Sequence, residues 1–347
     1  MKKFLLWAIL LSFLFVGGYV LIHPLAVKKV ETEQNPVPTK VEEKPVAPTP
    51  TIREEPVAHF TVNAPVDHSY RIGFIGDFWP EDFPRAKYDK EVVGALLNVL
   101  KLQNVHLVFL SNRISLEDQK NPKESTLALI DTQLKELYTA FVRVLGSHVS
   151  LFPVFDCPIE DQEAIMPLVF KNFHLPNLAP DRLYDITIGN AYFLVVPTRD
   201  FEPDLHLDAQ TDEAFEKLSA QAYYRFVTGY NPVFPVTSTI TNEDVRKAFW
   251  QVLKKNRVKA YFSFGEEVFN RMHQSGVWEI MTGGGGAPFE KDGKTEPFVH
   301  CVLLRIPIHE ESNPIVQVLD PAGDVIDEFE LMQEPSLLHE LHITMAK

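Results

Sequence analysis

A chain of 347 residues with 45% hydrophobic side chains can bury a sizeable core, which excludes a disordered protein and allows one large domain or two ordinary ones. Its formal net charge is −14, and its Lys and Arg are scattered with no basic run interleaved with aromatics, which excludes nucleic acid as a partner. With only Cys157 and Cys301, a disulfide scaffold and a cysteine zinc knuckle are excluded. One bridge between the two stays open beside the commoner arrangement, two buried free thiols acting as small apolar residues.

Lys2 and Lys3 precede an uncharged apolar stretch over 4–22, about long enough as helix to cross a ~30 Å hydrocarbon core. No A-x-A and no lipobox cysteine follow, so residues 1–29 are expected to be an uncleaved membrane anchor in preference to a removed signal. Lys28 and Lys29 weaken the positive-inside signal, but a long following domain translocates largely regardless of flanking charge. The expected location is a single-pass cell-membrane protein with its globular part outside the cytoplasm, in a bacterial envelope. Residues 30–58 turn to Glu, Lys, Thr and Pro, the composition of a semi-stiff, solvated linker.

The globular part is expected over 59–347. Its opening reads as a buried strand at 71–75, a helix at 90–101 and a strand at 105–110. Leu127, Ile130, Leu134, Leu137, Phe141 and Leu145 then recur at helical spacing, closed by Gly146 as a left-handed cap. A third strand at 149–155 completes a β-α-β-α-β order, which implies a parallel sheet with right-handed crossovers. Further strands are expected at 191–196, 222–228, 259–263, 278–282, 298–306 and 315–319, interrupted by a helix at 243–255. The late strands follow one another through Gly or Pro turns, which suggests a second, largely antiparallel sheet.

In an open α/β sheet ligands collect outside the carboxyl ends of the strands. The residues standing there are Gly76-Asp77-Phe78-Trp79, Ser111-Asn112-Arg113, Asp156-Cys157-Pro158, Gly229-Tyr230-Asn231-Pro232 and Phe264-Gly265-Glu266-Glu267. Together with the stretch from Val258 to Arg271, the glycine run Gly283 to Gly286 and Val318-Leu319-Asp320-Pro321-Ala322-Gly323, this order resembles the calcineurin-like metallophosphoesterases, and within them the purple acid phosphatase branch. The resemblance covers the chain from about His59 onward. It implies a four-layer α/β/β/α sandwich of two mixed sheets, preceded here by a transmembrane helix.

Members of that family hold two metal ions that polarise a phosphoryl group and supply a hydroxide nucleophile. Carried over position by position, the first motif falls on Asp77 and Trp79, the bridging aspartate on Asn112, and the Asn-His pair on Cys157 and Pro158. A further histidine falls on Tyr230, with Asn231 beside it, and the last two on Gly265 and Glu267. Of the family's ligand positions, Asp77 alone is intact. Losing even an outer partner typically costs ~10–100-fold in metal affinity or activity, so the resemblance implies a scaffold without its binuclear site, no cofactor and no catalytic residue. The old cleft, lined by Asp77, Trp79, Asn112, Tyr230, Asn231 and Glu267, is expected to bind an envelope protein or a small ligand. The alternative is an active phosphomonoester or diester hydrolase with a divalent metal on Asp77, Asn112, Asp156 and Glu267.

Simpler roles stand beside these. Asp77 can cap the turn after its strand. The adjacent Glu266 and Glu267 read as a solvated loop, and Gly283 to Gly286 as a turn that lets two chain segments approach closely, in preference to an anion nest. No G-x-S-x-G follows a strand, and Gly73 and Gly76 lack the third glycine of a dinucleotide fingerprint.

Overall fold

The computed structural model describes residues 58–63, 68–80, 83–84, 87–116, 124–176, 183–198, 212, 214–216, 222–236, 238, 240–287, 298–309 and 312–332. All of them belong to the second of two units into which the chain divides, Glu55–Lys347. The expected anchor over 1–29 and nearly all of the expected linker lie outside the described residues, and among those described no helix is long and apolar enough to cross a membrane.

The opening unit follows the expected order. Strand β1 (Ala58–Thr61) precedes β2 (Ser69–Ile75), helix α1 (Lys90–Leu102), β3 (Leu107–Leu110), α2 (Glu124–Leu145) and β4 (Ser150–Pro153). Asp89 caps α1, its Oδ1 accepting from the backbone N–H of Glu91 and Val92 at 2.9 and 3.1 Å. Gly146 closes α2 with φ +93°, the left-handed conformation that a side chain would disfavour. Strands β2, β3 and β4 pair in parallel, and their near-continuous apolar composition reflects burial on both faces.

The rest comprises α3 (Gln162–Asn172), β5 (Tyr184–Ile188), β6 (Ala191–Val196), β7 (Tyr224–Gly229) and α4 (Glu243–Lys255). Then follow β8 (Ala260–Ser263), β9 (Phe269–Gln274), β10 (Val277–Thr282), β11 (Cys301–Pro307), β12 (Ile315–Leu319) and β13 (Val325–Glu330). The late strands do not form a separate antiparallel sheet. Instead β11 pairs antiparallel with β2, setting Val302 opposite Phe74, so that β13-β12-β11-β2-β3-β4 make one mixed six-stranded sheet. Strands β8, β10 and β9 complete a mixed seven-stranded sheet of order β1-β5-β6-β7-β8-β10-β9. The physical reason is that β11 buries both faces, and the exposed edge of β2 offers it the partner that local turns cannot.

Three apolar layers follow from this pairing. Between the sheets, Phe74 stacks on Phe262 at 4.0 Å between centroids, and Phe109 meets Phe193 at 5.3 Å. Helices α1, α2 and α3 cover the outer face of the six-stranded sheet, while Phe249, Trp250 and Leu253 of α4 cover that of the seven-stranded sheet. The result is the α/β/β/α sandwich of two mixed sheets that the resemblance implies. Cys157 and Cys301 are both buried, 2% and 0% exposed, and are not joined to each other in a disulfide.

Candidate functional site

Parallel pairing places the carboxyl ends of β2, β3 and β4 at one end of one sheet, and those of β6, β7 and β8 at one end of the other. The two ends are brought together by a contact between side chains. The Tyr230 hydroxyl, just past β7, donates to Oδ2 of Asp77, just past β2, at 2.7 Å. Oδ1 of Asp77 is buried and has no hydrogen-bonding partner among the described residues. Burial is the main cause that pushes the Asp77 carboxyl up to about 8; Tyr230 and Arg113 oppose the shift, while the charges of Glu267 and Asp156 add to it. At neutral pH this is a protonated acid in a hydrogen-bonded pair.

Asn112 fastens the neighbouring loop. Its Oδ1 accepts from the backbone N–H of Phe78 and of Trp79, at 2.9 and 2.8 Å, and its Nδ2 donates to the carbonyl of Arg113 at 2.8 Å. Both functions of the amide are thereby used to hold the turn that carries Asp77. Trp79 packs into an aromatic cluster, with its ring centroid 4.1 Å from that of Phe83 and 5.8 Å from that of Phe155, and is 3% exposed. Asn231 serves the backbone as well: its N–H donates to Thr198 Oγ1 at 2.7 Å and its carbonyl accepts from the Tyr261 hydroxyl at 2.6 Å.

The glycine run closes the same end. The Asp77 N–H donates to the Gly283 carbonyl at 2.7 Å, and the Gly285 N–H to the Gly76 carbonyl at 2.8 Å. A Cβ on Gly283 would lie 1.9 Å from the Glu266 carbonyl, and one on Gly285 2.9 Å from the Gly76 nitrogen. Glycine is needed here for close chain approach, and the N–H of Gly285 is used within the protein rather than offered to an anion.

Two buried carboxylates were not anticipated from the sequence. Glu266 is 4% exposed, which corrects the expectation of a solvated Glu266-Glu267 loop. Its Oε2 accepts from Val236 N–H at 2.7 Å, and its Oε1 from the N–H and hydroxyl of Ser238, both at 2.9 Å. Glu279 is fully buried and accepts from Val233 and Phe234 N–H at 2.5 and 3.0 Å. Burial pushes it up to about 7 against the pull of those two amides. The legible signal for Glu279 was a lone acid inside the apolar run Val277–Thr282; Glu266 gave none. Both carboxylates pin the segment that follows β7.

Of the six residues expected to line the cleft, five are buried and only Glu267 is half-buried. Asp77, Tyr230 and the Asn112 loop come together; Trp79 and Asn231 are committed elsewhere. Among the described residues no three His, Cys, Asp or Glu side chains are grouped to hold a metal ion; of the alternative set, the charges of Asp156 and Glu267 act on Asp77, while Asn112 Oδ1 is engaged by the backbone. The donor chemistry does not fit two cations either. Asp77 Oδ2 accepts from the Tyr230 hydroxyl, Asn112 Oδ1 is held by two amides, and the strand-end segments carry no imidazole.

No family model matches the sequence, and no curated protein matches it. Among solved structures, GAP50, described as the anchor in the inner membrane complex of Plasmodium, matches with TM-score 0.52 and 13% identity, over 81% of this chain and 95% of that one. This likeness shows a shared fold. Vacuolar protein sorting 29 from Cryptosporidium parvum matches at TM-score 0.38 and 11% identity, over 77% of this chain and 100% of that one. A putative 5'-nucleotidase from Staphylococcus aureus matches at 0.41 and 10%, over 80% and 58%. Scores of that size carry no inference of their own. What fold and strand ends define is a two-sheet α/β/β/α sandwich in which Asp77 and Tyr230 join the carboxyl ends of strands from the two sheets.

Proposed function

We propose that this protein is a membrane-tethered, extracytoplasmic relative of the metallophosphoesterases, of the purple acid phosphatase branch, that has no hydrolytic activity and acts by binding. The observation that carries the reading is the Asp77–Tyr230 pair: the one retained ligand position is a buried carboxyl engaged by a phenol. A phosphoryl-transfer site needs charged oxygens and neutral imidazoles around its cations, and none of the strand-end segments carries an imidazole. GAP50 is described as an anchor in a membrane complex; the tether expected over 1–29 gives this chain a comparable role at a membrane. With the pair closed, contact with an envelope protein or small ligand at this end falls to Glu267 and to Val236, which is 44% exposed beside Glu266.

The test is hydrolysis of p-nitrophenyl phosphate and bis-p-nitrophenyl phosphate by the full-length chain in detergent, with Mn²⁺, Zn²⁺ or Fe³⁺ added. The reading expects no turnover above buffer with any metal. Turnover that disappears in Asp77→Asn would replace it with an active hydrolase.

A further inference from the structure

The outer helical layer carries a groove remote in role from the strand-end site. It lies between α1 and α2, has a volume of 430 Å³, and the half-buried Gly94, Ala140 and Val144 form the accessible apolar part of its lining. Lys90, Lys135 and Arg143 stand on its lining. The one acid among the lining residues, Glu136, is engaged by Lys87 at 3.4 Å. In a chain of net charge −14, this is a local reversal of sign.

Gly94 supplies an independent observation. It sits inside α1, where glycine weakens a helix relative to alanine. A Cβ built on it would meet nothing within 4 Å. No neighbour among the described residues therefore requires a glycine here, and its cost to the helix has no compensation within them. Close approach by an external backbone is a use that glycine serves and alanine does not.

The spacing of the cations separates two ligand chemistries. Lys135 and Arg143 lie on one helix, about 12 Å apart along its axis at 1.5 Å per residue. Sharing a single phosphate would require both side chains to fold towards each other along α2. Extended, they face successive carboxylates on a ligand lying along the groove. The small apolar surface of Gly94, Ala140 and Val144 with cations beside it complements an apolar stripe flanked by acids, the pattern of helix-in-groove recognition. We propose that the α1–α2 groove docks an acidic amphipathic helix of a partner protein, seated over Gly94 and held at its flanks by Lys90, Lys135 and Arg143. The proposal does not depend on whether the strand-end site is catalytic.

The experiment titrates the full-length protein in detergent against a fluorescein-labelled synthetic helix with Leu at i, i+3, i+4 and i+7 and Glu on both flanks, followed by anisotropy. A second peptide carries glutamine in place of every glutamate. Saturable binding of the acidic peptide is expected, weakened at least about tenfold by the double variant Lys135→Glu, Arg143→Glu and by added salt. Gly94→Leu is expected to abolish it, whereas Gly94→Ala should raise Tm while weakening binding, which separates lost docking from lost folding. Equal binding of the two peptides, no saturable binding, or unchanged affinity in these variants would overturn the proposal. So would displacement of the peptide by equimolar inorganic phosphate, or binding to phosphatidylserine vesicles in place of the peptide.

Discussion

The Tyr230 hydroxyl donates to Oδ2 of Asp77 at 2.7 Å across 153 positions of sequence, joining the carboxyl ends of strands from two different sheets. Removing that donor leaves a buried carboxyl without a partner. Tyr230→Phe is expected to cost about 1–3 kcal/mol of stability, read as a lower urea midpoint with an unchanged slope. A midpoint equal to wild type would mean that the pair is not formed in solution.

The protonation of Asp77 has a signed consequence for pH. The folded carboxyl titrates at about 8 against 3.8 for an ordinary aspartate, so between those values the folded chain keeps a proton that the unfolded chain loses. This contribution is fully present below the unfolded value and is lost as pH rises through the folded one, at up to about 1.4 kcal/mol per pH unit. Glu279, pushed up to about 7, acts in the same direction at lower pH; His300, depressed by burial to about 4, acts in the opposite direction up to its ordinary 6.5. From pH 7 to 8 Asp77 contributes most of the loss and Glu279 a smaller part. Denaturation curves there should show wild type losing clearly more stability than Asp77→Asn, which imitates the protonated acid and keeps only the smaller Glu279 slope; equal slopes would contradict a raised Asp77.

Glu266 ties the segment after β7 through three hydrogen bonds. Hydrogen bonds to a charged group contribute about 1.5–3 kcal/mol each, net of those made to water, so Glu266→Ala should loosen this segment well before the core. Amide exchange should accelerate at Val236 and Ser238 and stay slow in the β6 and β7 strands. Uniform acceleration would indicate that the glutamate supports the whole sheet instead.

Cys157 and Cys301 are buried, and burial is the chief cause that pushes the Cys301 thiol up to about 12. Neither is expected to react with Ellman's reagent in the native protein, and both should react in guanidinium. No reaction after unfolding without reductant would reveal a disulfide.

Legibility from sequence followed locality. The strands Ala191–Val196 and Ile315–Leu319 and the helix Glu243–Lys255 could be read to the residue, because each is a bounded apolar run or a clear helical period. Strands β9 and β13 were missed because FNRMHQ and VIDEFE are half-exposed and polar. A tertiary clasp supports both: Arg271 reaches Asp327 at 2.9 Å and lies 4.2 Å from the Phe329 ring centroid. Sheet membership was missed for a similar reason, since β11 finds β2 across more than two hundred residues. At the site, the strand-end rule located Asp77, Tyr230 and Asn112 correctly along the chain. Their burial, the inward turn of Trp79 and the clasp made by Glu266 depend on the second sheet, which no local pattern encodes.

The most direct test of the central claim is elemental analysis of the purified full-length protein after dialysis against a metal mixture. The Asp77–Tyr230 pair predicts substoichiometric metal and a Tm unchanged by EDTA. Two tightly held transition-metal ions per chain, with a Tm that falls on chelation, would contradict it and make the strand-end site a working metal centre.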